Sequence, residues 1–209
     1  MDFLRKYELV FWDFDGVIKD SVDVKGQAFF ELFQPFGDDI AKRVQDHHAA
    51  NGGMSRFEKI PIYLRWASED SCSTQIDSYC DMFSQLVLQR VIDSPWVSGV
   101  ETFLHCNPYS QVFVLVSATP LGELKQILKG LQIEVCFEEI FGAPTSKSDA
   151  LSMVIVSRGL DPKACLMIGD AREDLAAARA NSVDFLLRLH PNNSELFANY
   201  NGPFVRNFV

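Results

Sequence analysis

Residues 9–17 read Leu-Val-Phe-Trp-Asp-Phe-Asp-Gly-Val, an apolar run that breaks into two aspartates at i and i+2 and then a glycine. On a strand, residues two apart point to the same side, so Asp13 and Asp15 project together where the run ends. Buried carboxylates are costly unless they are paired or bound to metal. Two of them leaving one strand therefore point to a cation and to acid–base chemistry. A strand entering an Asp/Gly turn accounts for the same letters without chemistry, so the rest of the chain has to decide.

The chain has 209 residues, 47% of them hydrophobic and 22% charged, enough for one large domain or a core with a smaller insert. A formal charge of −9 disfavours nucleic acid and membrane surfaces as partners. No apolar run approaches a membrane span, and the N-terminus lacks the apolar stretch of a signal peptide. Cys72, Cys80, Cys106, Cys136 and Cys165 are odd in number with no CxxC spacing, which argues against a disulfide framework or a zinc site. A cytoplasmic location is the expectation.

Four short apolar runs read as buried parallel strands: 9–12, 112–116, 165–168 and 185–187. The last three alternate with helical patterns, as in an α/β fold with a parallel sheet. One helix is expected from Thr119-Pro120, with Thr119 as its cap. A second starts at Ser146, where Ser146 and Asp149 pair as a capping box, and an alanine-rich third follows Asp170, which pairs in the same way with Glu173. Between the first and second strands the chain reads as helix throughout, at 28–33, 40–48, 57–66 and 79–92. That is more chain than a crossover needs. The expected architecture is a Rossmann-like parallel-sheet core, residues 1–20 and 94–209, with an inserted all-helical cap, residues 21–93. Residues 192–209 receive no assignment.

Ligands bind an open parallel sheet outside the carboxyl ends of its strands. The strand assignments put Asp13/Asp15, Ser117 and Asp170/Asp174 at such ends, and Lys147 at a helix start. Ser117 alone reads as a turn residue, and Lys147 alone as a surface lysine. In the first turn of a helix, however, a cation opposes the helix dipole by about 1 kcal/mol, a conflict that a bound anion removes. Asp170 with Asp174 is more acid than a cap requires. Oxygen-only ligands favour Mg2+ over a transition metal, and the set as a whole fits phosphoryl transfer.

These pieces, in this order, resemble the haloacid dehalogenase-like hydrolase superfamily, in its phosphatase branch with a helical cap after the first strand. Asp13-Phe14-Asp15-Gly16-Val17 looks like the first motif, Ser117 in Val-Ser-Ala-Thr-Pro the second, Lys147 the third, and Gly169-Asp170-Ala171-Arg172-Glu173-Asp174 the fourth. The resemblance implies that Asp13 attacks phosphorus and that Asp15 serves as acid and then base. It implies that Asp13, the Asp15 carbonyl and Asp170 hold Mg2+, and that Asp174 orients this set. Ser117, the Ala118 backbone and Lys147 would take the phosphoryl oxygens. An acid at Asp15 favours phosphate esters over halides, because a halide leaves without a proton. The implied activity is a phosphatase acting on a small phosphorylated metabolite. A phosphosugar mutase with the same core and a catalytically silent binding protein are the alternatives. Oligomeric state is open.

In such a fold the cap selects the leaving group. Asn51-Gly52-Gly53 stops one cap helix, and Ser55 with Glu58 caps the next. Neither feature explains Arg56, a cation in a first helical turn and the candidate substrate contact. His47, His48, Lys25 and Lys59 read as surface residues. Lys19 stands where a small or apolar residue is usual and adds charge at the cap entrance. Phe29, Phe30, Phe33 and Phe36 read as cap core.

Overall fold

Strand β1 (Leu9–Trp12) is buried along its whole length because it lies mid-sheet with both faces covered. In the computed structural model, which describes residues 2–67 and 72–209, β1 pairs in parallel with β2 (Val112–Pro120) on one side and β4 (Cys165–Gly169) on the other. Strand β3 (Glu139–Ala143) extends the sheet beyond β2, and β5 (Asp184–Arg188) and β6 (Phe204–Val205) extend it beyond β4, giving the order β3-β2-β1-β4-β5-β6. All pairings are parallel.

The alternation along the strands sorts their side chains into two cores. Val10, Trp12, Phe113, Leu115 and Ile168 face the layer that contains α5 (Val100–Cys106) and α6 (Leu121–Gly130). Leu9, Phe11, Val114, Val116, Met167 and Leu187 face α7 (Lys147–Arg158) and α8 (Arg172–Ala180). The expected α/β class and parallel sheet are therefore present.

Between β1 and β2 the chain forms the helical cap: α1 (Val22–Phe33), α2 (Asp38–Ala50), α3 (Arg56–Trp66) and α4 (Ser73–Asp93). Its centre is aromatic. Phe29 stacks on Phe83 with ring centroids 3.9 Å apart, and Tyr63 meets both Phe29 and Phe33 edge-on. Phe36 packs on this cluster from a half-buried position, and Phe30 is half-buried.

Lys19, read as extra charge at the cap entrance, is buried there. Its Nζ donates to the Ile92 carbonyl at 3.0 Å and lies 4.4 Å from the centre of the Trp96 ring. The two linkers between cap and core also bond to each other, Asp20 N–H to Pro95 O at 2.9 Å and Val97 N–H to Ile18 O at 3.0 Å.

Several local readings are corrected. Strand β2 runs on through Thr119, so α6 starts at Leu121 and Thr119 is no helix cap. Strands β3 and β6 and helix α5 have no counterpart in the sequence reading. The first begins with a glutamate, and the other two are too short to show a period. The terminal segment is tied down, with β6 on β5 and Phe208 5.4 Å from Trp12. No described helix is long and apolar enough to cross a membrane.

Candidate active site

The pairing of Trp12 with Ile168 brings the C-terminal ends of β1 and β4 side by side, and the Asp13 N–H continues the ladder to Ile168 O at 2.9 Å. Asp13 therefore leaves β1 next to Asp170, the residue after β4. This is the switch point of the sheet, where neighbouring connections diverge to opposite faces. Lys147, in the first turn of α7, reaches in from a third loop. Its Nζ lies 2.9 Å from Asp13 Oδ1 and 2.5 Å from Asp174 Oδ1.

Asp174 is fully buried, and its second oxygen accepts the backbone N–H groups of Asp170 at 3.2 Å and Ala171 at 2.9 Å. It is Asp174, not the expected Glu173, that closes the start of α8. Two glycines make this closeness possible. A Cβ on Gly169 would collide with Asp174, and one on Gly16, where φ is +74°, would collide with the Asp170 carboxylate.

Asp13, Asp170 and Asp174 each present an oxygen within 4.8 Å of the others. Three buried carboxylates around one lysine are short of positive charge. Burial and the neighbouring Asp174 raise Asp13 well above the ordinary carboxylate range, and the same two causes push Asp170 up to about 8. Burial alone would lower Lys147, but the Asp13 and Asp174 carboxylates outweigh it and hold the ammonium charged. An all-oxygen set with surplus negative charge fits a hard divalent cation such as Mg2+.

Asp15 is held apart from this cluster. Its Oδ1 accepts from Ser21 Oγ at 2.6 Å, and its Oδ2 accepts from Lys25 Nζ at 2.5 Å and Thr119 Oγ1 at 3.3 Å. Burial would raise the Asp15 carboxyl, yet Lys25 and Ser21 outweigh it and hold it below its usual range. Lys25, read from the sequence as a surface residue, is thus buried in the site and bridges Asp15 to Thr119, whose Oγ1 lies 2.7 Å away.

A narrow cavity of about 40 Å³ joins these groups, lined by Asp13, Asp15, Lys147 and Asp170 from the core and by Lys25, Arg56 and Lys59 from the cap. A wider groove of about 610 Å³ opens beside it and shares Met54, Ala118 and Lys147. Ala118 lines both spaces, whereas Ser117 lines only the groove, its Oγ accepting from Thr119 N–H at 3.1 Å.

The cap side differs most from the sequence reading. Lys59 and His48 are buried rather than exposed, with Lys59 Nζ 2.9 Å from His48 Nδ1. His47 also turns inward, its Nδ1 3.0 Å from the Tyr63 hydroxyl. Arg56 grips Glu123 of α6 with both terminal nitrogens and donates to Ser84 Oγ at 2.6 Å. The Gly52-Gly53 stop of α2 lies over the fourth motif. A Cβ on Gly53 would come within 2.7 Å of Glu173.

His190 and Asn193 also escaped the sequence reading. His190 Nε2 bonds Asp170 Oδ2 at 2.9 Å, and Asn193 Nδ2 donates to the Asp170 and Arg188 carbonyls at 2.8 and 2.9 Å. Burial, with Arg188 nearby, lowers His190 to about 4, so the ring is neutral. Only the Pro191 that follows His190 marked this turn in the sequence.

Among solved structures, the fold is similar to β-phosphoglucomutase from Clostridium difficile, with 19% identity and a TM-score of 0.77 over 97% of this chain and 92% of that one. It is also similar to CbbY from Rhodobacter sphaeroides, solved with xylulose 1,5-bisphosphate, with 13% identity and a TM-score of 0.74 over 97% and 95% of the two chains. A predicted phosphoglycolate phosphatase from Haemophilus somnus aligns at 15% identity, TM-score 0.71, over 97% and 95%. At these identities the likeness is one of fold. No curated protein matches the chain by sequence. The profile of the haloacid dehalogenase-like hydrolases does match, over residues 10–187, so the four loops that meet at the switch point belong to a member of that family.

Proposed function

We propose that this hydrolase is a Mg2+-dependent phosphatase that cleaves a small-molecule phosphate monoester through an aspartyl-phosphate on Asp13. The observation that carries the reading is the division of labour between the two first-motif aspartates. Asp13 sits with Lys147 and the acidic cluster, while Asp15 is held separately by Lys25 and Ser21.

In the proposed cycle an Asp13 oxygen attacks phosphorus and the bond from phosphorus to the leaving oxygen breaks. Asp15, with Lys25 hydrogen-bonded to it as the adjacent proton source, protonates that oxygen. Asp15 then takes a proton from water and hands it back to Lys25, the water oxygen bonds phosphorus, and the acyl-phosphate bond to Asp13 breaks. Lys147, Ser117 and the Ala118 backbone take the phosphoryl oxygens. Asp13, Asp170 and the Asp15 carbonyl would hold Mg2+, with Asp174 orienting them. The ion supplies charge neutralisation between nucleophile and phosphate.

The cavity of about 40 Å³ holds only a few waters. A substrate therefore enters when the cap, residues 21–93, lifts from the core, residues 1–20 and 94–209. Arg56 fixes the closed position and walls the leaving-group side. The partner is a small phosphorylated metabolite, and the compartment is the cytoplasm.

The test is hydrolysis of p-nitrophenyl phosphate by wild-type and Asp13→Asn protein. Replacement should lower turnover at least about a thousandfold. Unchanged turnover would overturn the assignment of the nucleophile.

A further inference from the structure

The cap sends three buried cations into the cavity, and two of them are matched. Lys25 faces Asp15, and Arg56 faces Glu123. Lys59 is 1% exposed, and no carboxylate of the described residues lies within ion-pair distance of it. Among the described residues its one hydrogen-bond partner is His48 Nδ1. A lysine ammonium has three donors, so two N–H groups remain without an acceptor among the described residues, inside a cavity that also holds the nucleophile.

His48 offers no compensating charge. Burial and the neighbouring Lys59 lower it well below its ordinary value, so it stays neutral. Burial, with Lys25 nearby, likewise draws Lys59 down to about 7. The more distant carboxylates of Glu173, Asp15 and Glu58 oppose this shift and do not cancel it. A buried cation without its counter-charge is among the costlier things a fold can keep. It is tolerated where a ligand supplies the missing anion.

We propose that Lys59, oriented by His48, is the subsite for a second anionic group, and that the substrate is a phosphate monoester whose leaving alcohol carries a carboxylate or a second phosphoryl group. This rests on the phosphatase reading and adds the chemical class of the leaving group. Phosphate held at Lys147 and the second anion at Lys59 would then occupy the core and cap walls of one cavity, so a doubly anionic substrate draws the two together. A neutral alcohol would leave Lys59 buried and unpaired in the closed state.

The test measures binding, so that it does not depend on turnover. Asp13→Asn protein in Mg2+ buffer is titrated calorimetrically with ethyl phosphate, phosphoglycolate and ethylene glycol bisphosphate. At least one of the two doubly anionic probes should bind on the order of tenfold or more tightly than ethyl phosphate. Which one gains identifies the second anion as carboxylate or phosphoryl. Adding Lys59→Met should erase the preference, and Lys59→Arg should retain part of it. Lys59→Gln replaces the Met variant should the latter fail to fold. Equal affinity for all three probes, or a Lys59→Met variant that keeps the preference or weakens all three alike, would overturn the subsite. A failed turnover assay with the preference intact would instead count against the phosphatase chemistry alone.

Discussion

Arg56 of α3 and Glu123 of α6 meet in a two-pronged ion pair, Nη1 to Oε2 at 2.8 Å and Nη2 to Oε1 at 2.5 Å, buried where the cap closes on the core. The guanidinium also lies 4.6 Å from the centre of the Phe83 ring and bonds Ser84, so cap helix α4 shares the contact. Such a pair is weak evidence for net stability, but removing one partner strands the other charge without water. Arg56→Met or Glu123→Leu should each destabilise the closed protein by about 3–5 kcal/mol. The double variant Arg56→Met/Glu123→Leu should recover most of that loss. Urea unfolding of the four proteins measures the cycle, and strictly additive losses would count against the pair as the closing contact.

The position of Asp15 predicts a dependence on the leaving group. An alkoxide needs a proton as it departs, whereas p-nitrophenolate does not. Asp15→Asn should therefore slow alkyl phosphate hydrolysis by about 10²–10⁴-fold and p-nitrophenyl phosphate hydrolysis by much less. Equal losses on the two esters would remove Asp15 from the proton-transfer role.

The crowding of Asp13, Asp170 and Asp174 predicts a response to metal. Chelation should abolish phosphate release, and Mg2+ should restore it. Mg2+ at about a hundred times its dissociation constant should stabilise the wild type by about 2.7 kcal/mol, seen as a rise in Tm. Asp170→Asn should lose most of that rise, and a full rise in the variant would refute Asp170 as a ligand.

Lys59 predicts a difference in pH dependence. Its folded pKa of about 7 lies below the unfolded value near 10.5. Between these values the folded state binds fewer protons than the unfolded one, so this group makes stability rise with pH. The penalty is complete below about 7 and fades as pH approaches 10.5. Lys59→Met should therefore have a higher Tm than the wild type near neutrality, by a margin that shrinks toward pH 10. Thermal unfolding of both proteins without ligand checks it, and a margin independent of pH would show that Lys59 is not buried as a cation.

Much of this protein follows from its sequence because the rules involved are local. The apolar run 9–12 could only be a doubly covered strand, and alternation placed Asp13 at its end. The stop at Gly52-Gly53, the capping box at Ser55 and Glu58, and the cap at Ser146 are settled within a few residues, and each stands where the spacing put it. Asp13 and Asp170 were placed at strand ends by the sequence, and they meet because β1 and β4 pair in parallel. What the tertiary structure alone decided is which charges lie inside. Lys25, Lys59 and His48 occupy polar positions of amphipathic helices, where local pattern expects water. They are buried because the cap faces Asp15, Thr119 and the nucleophile from across the cavity. Arg56 finds Glu123 sixty-seven residues away, and Asp170 receives His190 from a segment with no periodic signal. Counter-charge and burial depend on how separate elements pack, and the helical period of one element does not report them.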